Sequence, residues 1–452
     1  MAKPRRGDSI EIAIDDLAFG GEGVGRVDGY VVFVRCGVPG DRLRVRLAEA
    51  RSRFGRGVVE SVVTPSPDRV EAPCGYFGRC GGCRLQHLAY PLQLAFKAKQ
   101  VRDCLERIGG LGPFELRPIL AAPEPYGYRN KMEFTITPGP VVGLHQADRY
   151  DVVVDVERCL LQSETMNAQL AELRRQIVAR GLSVYDPVTE EGLLRFVALR
   201  AALGTGEAMA NIVASTPDVA ALAPLAERLR TRVPATASVV LTVNAKKAAV
   251  AAGSEEHLLL GRDHIREMLG GLTFQVSASS FFQTNTAQAE RLFSLVEDAC
   301  ALDGSETIMD LFSGTGAISL LLARRCRHVY GVEVAPAAVA DALRNARANG
   351  VENCTFLEGE VRHVLPALVR DGVRADVVVA DPPRAGFHPK ALAALAELAP
   401  PRLVYVSCNP ATLARDLGAL VARGYRLEWV RPVDMFPQTP HIEAVVRLTR
   451  SR

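Results

Sequence analysis

The stretch Thr307-Ile308-Met309-Asp310-Leu311-Phe312-Ser313-Gly314-Thr315-Gly316 decides the fold. An apolar run closes on an acid, a glycine turn follows, and helical spacing begins at Ala317 and runs to Arg325. Glycines let the backbone turn sharply and come close to a ligand. Beyond this point apolar strands alternate with helices. The strands are Thr307–Leu311, His328–Glu333, Cys354–Glu358, Ala375–Asp381 and Arg402–Ser407; the helices are Ala317–Arg325, Ala335–Asn349, Lys390–Leu398 and Ala411–Arg423. Near-continuous apolar strands between helices mean a doubly wound, mostly parallel sheet covered on both faces, an α/β class. Arg426–Val430 and Ala444–Thr449 add a closing hairpin.

Ligands of such sheets bind at the carboxyl ends of the strands. Ser319 stands where a dinucleotide fingerprint would place its third glycine, which argues against a nicotinamide enzyme. The second strand ends in Glu333, a carboxylate able to accept both hydroxyl protons of a ribose. The fourth ends in Asp381-Pro382-Pro383-Arg384, where two prolines freeze the backbone just past the strand. A free nucleoside ribose without a phosphate cradle points to S-adenosylmethionine.

Working outward, the chain has 452 residues, 48% hydrophobic and 23% charged, which excludes disordered and collagen-like classes. Its net charge of +3 is too small for the whole surface to bind a polyanion, so such a partner must be held by local patches. Residues 8–63 read as short strands with glycine turns, a small β-barrel. Arg42, Arg44 and Arg46 share one face of a strand and form its expected positive stripe. A proline linker, Pro65–Pro73, precedes a helix over Gln93–Ile108, and residues 115–270 mix strands and helices. No apolar run is long enough to span a membrane. The start, MAKPRRGDSIEIAIDD, lacks the apolar core of a secretory signal, so the expected location is the cytoplasm.

Ten cysteines are present, and Cys74, Cys80 and Cys83 crowd together. In a reducing compartment such a cluster calls for a metal or a redox role. With Cys159 as a fourth ligand, the spacing suits either a zinc site or an iron–sulfur cluster.

Four motifs carry a family resemblance: DLFSGTG (310–316), DPPRAG (381–386), SCNPATLARD (407–416) and PQTPHIE (437–443). Together they resemble the RNA 5-methyluridine (uracil-C5) methyltransferases, and the barrel resembles their RNA-binding TRAM domain. The resemblance implies a TRAM barrel over 1–64, a mixed α+β central domain over 65–92 and 116–270, and a class I S-adenosylmethionine-dependent methyltransferase domain over 93–115 and 271–452. It implies that Gln283, Phe312, Glu333, Glu360 and Asp381 contact the cofactor, while Ala317 offers no side-chain hydrogen bond there. It also implies a [4Fe–4S] cluster on Cys74, Cys80, Cys83 and Cys159. The expected substrate is 23S rRNA, with tRNA as the alternative, and a monomer is expected.

Uracil C5 is a poor nucleophile, so the chemistry needs a thiolate that adds to C6 and a base that later removes the C5 proton. Cys408 ends the fifth strand, directly before a helix whose N-terminus should favour its thiolate. Glu443 opens the last strand and is the expected base. Cys36, Cys104, Cys300, Cys326 and Cys354 are read as packing residues inside elements, and Phe281 and Phe282 as core. Tyr128-Arg129-Asn130-Lys131, an aromatic among cations, is expected to touch RNA.

Overall fold

The computed structural model describes residues 4–246, 253 and 255–450. Five strands, β1 (Ser9–Leu17), β2 (Gly23–Val27), β3 (Tyr30–Val34), β4 (Arg42–Ala50) and β5 (Phe54–Thr64), close into a barrel in the order β1-β2-β3-β5-β4. Alternation turns Ile12, Ile14, Val32, Val34, Leu43, Val45 and Leu47 inward. Arg42, Arg44 and Arg46 face outward as the pattern requires. They are not the free cationic stripe expected, because β1 and β5 bring carboxylates across from them. Arg44 meets Glu11 at 2.9 Å, Arg42 meets the same Glu11 at 3.5 Å, and Arg46 meets Glu60 at 3.5 Å.

Helix α1 (Tyr90–Arg107) and the short β6 (Glu115–Leu116) follow. The middle of the chain builds β7 (Lys131–Thr137), β8 (Val141–Gln146), β9 (Arg149–Asp155), α2 (Glu164–Ala179), β10 (Leu194–Ala201), β11 (Ala208–Ala214), α3 (Val219–Arg232), β12 (Thr236–Val243) and β13 (Glu255–Gly261). Its seven strands form one sheet, β13-β12-β11-β10-β7-β8-β9, and α2 and α3 share its core. A hairpin, β14 (His264–Leu269) and β15 (Leu272–Ser277), leads onward.

The last part holds α4 (Thr286–Cys300), β16 (Thr307–Leu311), α5 (Ala317–Ala323), β17 (His328–Glu333), α6 (Pro336–Ala348), β18 (Cys354–Glu358), α7 (Val361–Arg370), β19 (Val377–Ala380), α8 (Pro389–Leu398), β20 (Arg402–Ser407), α9 (Pro410–Val421), β21 (Tyr425–Val433) and β22 (Glu443–Arg450). These strands and β6 form an eight-stranded sheet, β18-β17-β16-β19-β20-β22-β21-β6. The first five are parallel, whereas β22 runs antiparallel to β20 and β21. Apolar cores line both faces of the sheet. The chain order reverses at β16, which opens a crevice at the carboxyl ends there. Helix α7 escaped the sequence reading because Pro366 interrupts its pattern. Helix α4 was legible in principle: Asn285 caps it, and Ala289, Leu292, Phe293 and Val296 keep helical spacing. No described helix is long and apolar enough to cross a membrane.

Helix α1 lies far from this sheet in sequence but packs on it. Val101 and Leu105 share a core with Leu413, Ala414 and Leu417 of α9. Two turns earlier, Lys97 is 1% exposed and its Nζ donates to Asp434 Oδ1 at 2.6 Å, while Tyr90 Oη donates to Oδ2 at 2.9 Å. Burial pulls the Lys97 pKa down, and the Asp434 carboxylate opposes that. Removing one partner of such a pair leaves the other charged and buried. Asp434→Ala should therefore lower stability by about 3–5 kcal/mol in urea denaturation, and a loss below about 1 kcal/mol would contradict the arrangement.

Candidate active site

The glycine turn after β16 is built around three left-handed residues, Phe312 (φ 68°), Gly314 (φ 54°) and Gly316 (φ 83°). A Cβ on Gly316 would stand 3.0 Å from Phe356, so only glycine fits. Phe312 is not a glycine, and strain of this kind gathers where a loop must present itself to a ligand. Phe312 packs edge-on against Phe387 with centroids 5.6 Å apart. Glu333 reaches across from β17: its Oε2 accepts Gly314 N–H at 3.0 Å and its Oε1 accepts Ala335 N–H at 2.8 Å. It therefore both fixes the turn and keeps lone pairs free for hydroxyl donors.

Beneath the turn lies Asp310, which sequence reasoning quoted but assigned no role. Its Oδ2 accepts Ser319 Oγ–H at 2.6 Å, while Oδ1 and the neighbouring Ser313 Oγ are buried without a partner. Burial lifts the Asp310 carboxyl to about 7. Asp381, one strand over, is likewise lifted to about 7, by desolvation first and then by the charge of Asp310. Unsatisfied buried acceptors are costly. A ligand carrying ammonium or hydroxyl donors would complete this set, so the residues fit an aminoacyl-nucleoside.

Cys408 and Glu443 meet through sheet register. Ser407 pairs with Ala444 across β20 and β22. Cys408 follows Ser407 and Glu443 precedes Ala444, so the antiparallel register brings the two residues to neighbouring ends of β20 and β22. Their charges interact with each other and with Asp381. Glu443 is buried, and desolvation, then Asp381, raises its pKa well above the usual range; Arg384 pulls it back. The Cys408 thiol is pushed up to about 11, first by burial and then by Glu443 and Asp381. This corrects the expectation that the helix N-terminus favours a thiolate. Asn409 caps α9 with its own side chain, and burial, followed by the two carboxylates, acts against the helix dipole at Cys408.

The motifs beside these residues serve as scaffolding. Arg384 O accepts from Asn409 Nδ2 at 3.0 Å and from Thr412 Oγ1 at 3.1 Å. Arg415 Nη2 donates to Ala385 O at 2.9 Å, and Asp416 accepts Phe387 N–H and Tyr405 Oη–H, each at 2.8 Å. The tail of SCNPATLARD thus holds the DPPRAG loop. Arg384 itself is exposed at the mouth, with Nη2 3.3 Å from His441 Nδ1.

Gln283 is half-buried on the loop entering α4, and its carbonyl accepts Asn130 Nδ2–H at 2.8 Å. Asn285 Nδ2 on the same loop donates to Met435 O at 3.0 Å, which ties it to the segment leading to Glu443. Glu360 is not drawn in: it caps α7, and its carboxylate pairs with Arg362. Tyr128 and Asn130 correct the expected RNA motif. Tyr128 is 4% exposed and donates to Pro437 O at 2.9 Å, and Asn130 is buried, so both brace the site. Phe281, read as core, is 69% exposed, whereas Phe282 is buried. Cys36 lies in a left-handed turn after β3 rather than inside an element.

Cys74, Cys80, Cys83 and Cys159 all line one cleft of about 560 Å³, which Phe281 and Arg129 also border. Desolvation raises Cys83 to about 12, and Cys159, Cys80 and Cys74 add to it. No group of three or more His, Cys, Asp or Glu among the described residues is arranged as a metal site. The four thiols on this cleft nevertheless suit a thiolate-liganded group in donor chemistry.

Residues 228–451 match the tRNA (Uracil-5-)-methyltransferase family and residues 3–59 match the TRAM domain. An uncharacterized RNA methyltransferase of Halalkalibacterium halodurans is 41% identical over 99% of this chain and 98% of its own length. One of Gloeobacter violaceus is also 41% identical, over 99% and 97%. Among solved structures, the Pyrococcus abyssi tRNA (uracil-54, C5)-methyltransferase in complex with S-adenosyl-L-homocysteine matches with TM-score 0.79 and 32% identity, over 97% of this chain and 99% of that one.

The raised thiol has a direct consequence. Iodoacetamide alkylation of Cys408, followed by peptide mass spectrometry, should keep climbing above about pH 9, where an ordinary cysteine of pKa about 8.5 levels off. A plateau at or below that ordinary value would contradict the electrostatics described.

Proposed function

Because this chain belongs to the RNA uracil-5-methyltransferase family, with an N-terminal TRAM barrel, we propose that it methylates uracil C5 in RNA through a covalent adduct of Cys408 with C6, and that Glu443 removes the C5 proton. The observation that supports this reading is that Cys408 and Glu443 stand at neighbouring ends of β20 and β22, at the carboxyl edge of the sheet, where the charges of Glu443 and Asp381 act on the thiol. Cys408 Sγ adds to C6 and makes C5 nucleophilic. After C5 gains its methyl group, its proton passes to Glu443 and the S–C6 bond breaks. Burial raises the Glu443 carboxyl above the ordinary range, which makes it a stronger base toward the C5 proton. Arg384, exposed at the mouth, is placed to stabilise negative charge that develops on the ring.

S-adenosylmethionine, when bound, supplies an electrophilic methyl group. Glu333 would hold its ribose, Asp310 and Asp381 its polar groups, and Phe312 and Gln283 the walls. Glu360 would join only by leaving Arg362. A positive charge in this crevice lowers the pKa of Cys408, Asp381 and Glu443 together, so cofactor binding would favour the thiolate. Cys74, Cys80, Cys83 and Cys159 would hold a [4Fe–4S] cluster with a structural role, since methyl transfer moves no net electrons. Absorbance and iron analysis of anaerobically purified protein test this, and a colourless, zinc-containing sample contradicts it. Exposed Phe281, with Arg84, Arg129 and Lys131 around the same cleft, offers a stacking face and phosphate partners to an unstacked RNA segment.

The barrel together with the thiol cluster favours 23S rRNA. The tRNA reading has its own support, because the likeness to the solved tRNA enzyme spans nearly the whole of both chains. Mapping 5-methyluridine across total RNA of a deletion strain separates the two. With RNA containing 5-fluorouracil, the wild type should form an adduct stable to denaturation, and Cys408→Ala should form none. With ordinary RNA, Glu443→Gln should form adduct yet release product at least about 100-fold more slowly. Normal methylation by Cys408→Ala would overturn the proposal.

A further inference from the structure

Residues 434–442, between β21 and β22, lead into Glu443 and form neither helix nor strand. Their shape is imposed from outside. Tyr90, Gln93 and Lys97 occupy one face of α1, and all reach this segment. Gln93 and Gln438 grip each other reciprocally. Gln93 Nε2 donates to Gln438 Oε1 at 3.0 Å, and Gln438 N–H donates to Gln93 Oε1 at 3.1 Å. Leu88 O at 2.9 Å and Leu85 O at 3.1 Å share the other Nε2 hydrogen of Gln93. The two amides are 1% and 3% exposed. The Gln438 carbonyl accepts N–H groups from Arg84 and Leu85 at 3.0 and 3.1 Å.

Gln438 also has φ 68°, a left-handed conformation that glycine enters far more readily than glutamine. Holding a loop in place needs neither a buried amide pair nor a strained glutamine. Glycine would suit the backbone and apolar contacts the packing. What the amide pair adds is direction: hydrogen bonds from a rigid helix fix the loop in register as well as in place.

We propose that Gln93 is a positioning residue that acts through Gln438 to hold Glu443 at the C5 proton while Cys408 is bonded to C6. This rests on the reading of Glu443 as the base. The step it governs is elimination. The C5 proton goes to a Glu443 oxygen, the C5–H electron pair becomes the C5=C6 double bond, and the S–C6 pair leaves with Cys408. Addition of sulfur and gain of the methyl group come earlier and do not need Glu443 in place.

The test compares Gln93→Leu, Gln438→Gly and Glu443→Gln with the wild type in single-turnover reactions with uracil RNA and S-adenosylmethionine. Adduct formation is read on denaturing gels and product release from the decay of adduct. Glycine suits the left-handed backbone at this position, so Gln438→Gly removes the bond from Gln93 Nε2 to the Gln438 side chain and keeps the backbone N–H bond to Gln93 Oε1, whereas Gln93→Leu removes both. Both Gln93→Leu and Gln438→Gly should form adduct at the wild-type rate, with KM for RNA unchanged. Release should slow by about ten-fold or more, a fraction of the roughly 10²–10⁴ that a general base contributes. If Glu443→Gln stalls release but Gln438→Gly slows both steps equally, or neither, the positioning role is overturned and the base assignment stands. If Glu443→Gln releases product normally, the base assignment has failed and this proposal falls with it.

Discussion

The antiparallel register of β20 and β22 is the constraint on which the site depends. In a parallel sheet every strand end points the same way, and two strand-end residues meet only by a loop's accident. Here the final strand runs backward: Ala444 pairs with Ser407, the last residue of β20, so Glu443 and Cys408, one residue further on, come close enough for their charges to interact. A slip of one residue would turn Glu443 to the opposite face of the sheet. The register is held by packing along the whole strand, since Ala444, Val445, Val446 and Leu448 are buried in cores on the two faces.

A second constraint comes from the amino-terminal part. The sheet fixes Cys408 and Asp381 through its own strands, but the approach to Glu443 is an irregular segment. Helix α1 braces it with a buried ion pair and a buried amide pair, and Tyr128 and Asn285 brace it from the middle of the chain. Crevice chemistry and the rest of the molecule are therefore mechanically joined, although the residues concerned lie far apart in sequence.

Much of this was legible in the sequence because it is local. The apolar runs of β16, β19 and β20 are buried almost throughout, and such runs show themselves without tertiary information. Cys408 and Glu443 stood out because they lie in the SCNPATLARD and PQTPHIE motifs that carry the family resemblance; a strand-end position alone would have marked neither. What the sequence hid was what depends on neighbours. Tyr128 has the composition of a nucleic-acid contact, yet its hydroxyl finds Pro437 in the core. Phe281 looks like core, yet the loop turns it out. The arginines of β4 alternate as a cationic face would, but Glu11 and Glu60 come from other strands. The direction of the Cys408 pKa could not be read from sequence, because the helix after it is visible there while its burial and the two carboxylates beside it are not. Asp310 passed unassigned because a buried acceptor without a partner is a property of packing alone.

The account turns on which atom of the protein bonds to the pyrimidine. The most direct measurement is mass spectrometry of proteolysed complexes trapped with 5-fluorouridine RNA and S-adenosylmethionine. The account predicts a single modified peptide, with a methylated fluoropyrimidine nucleotide on Cys408. A nucleotide on any other cysteine, with the Cys408 peptide recovered unmodified from the trapped complex, would contradict it.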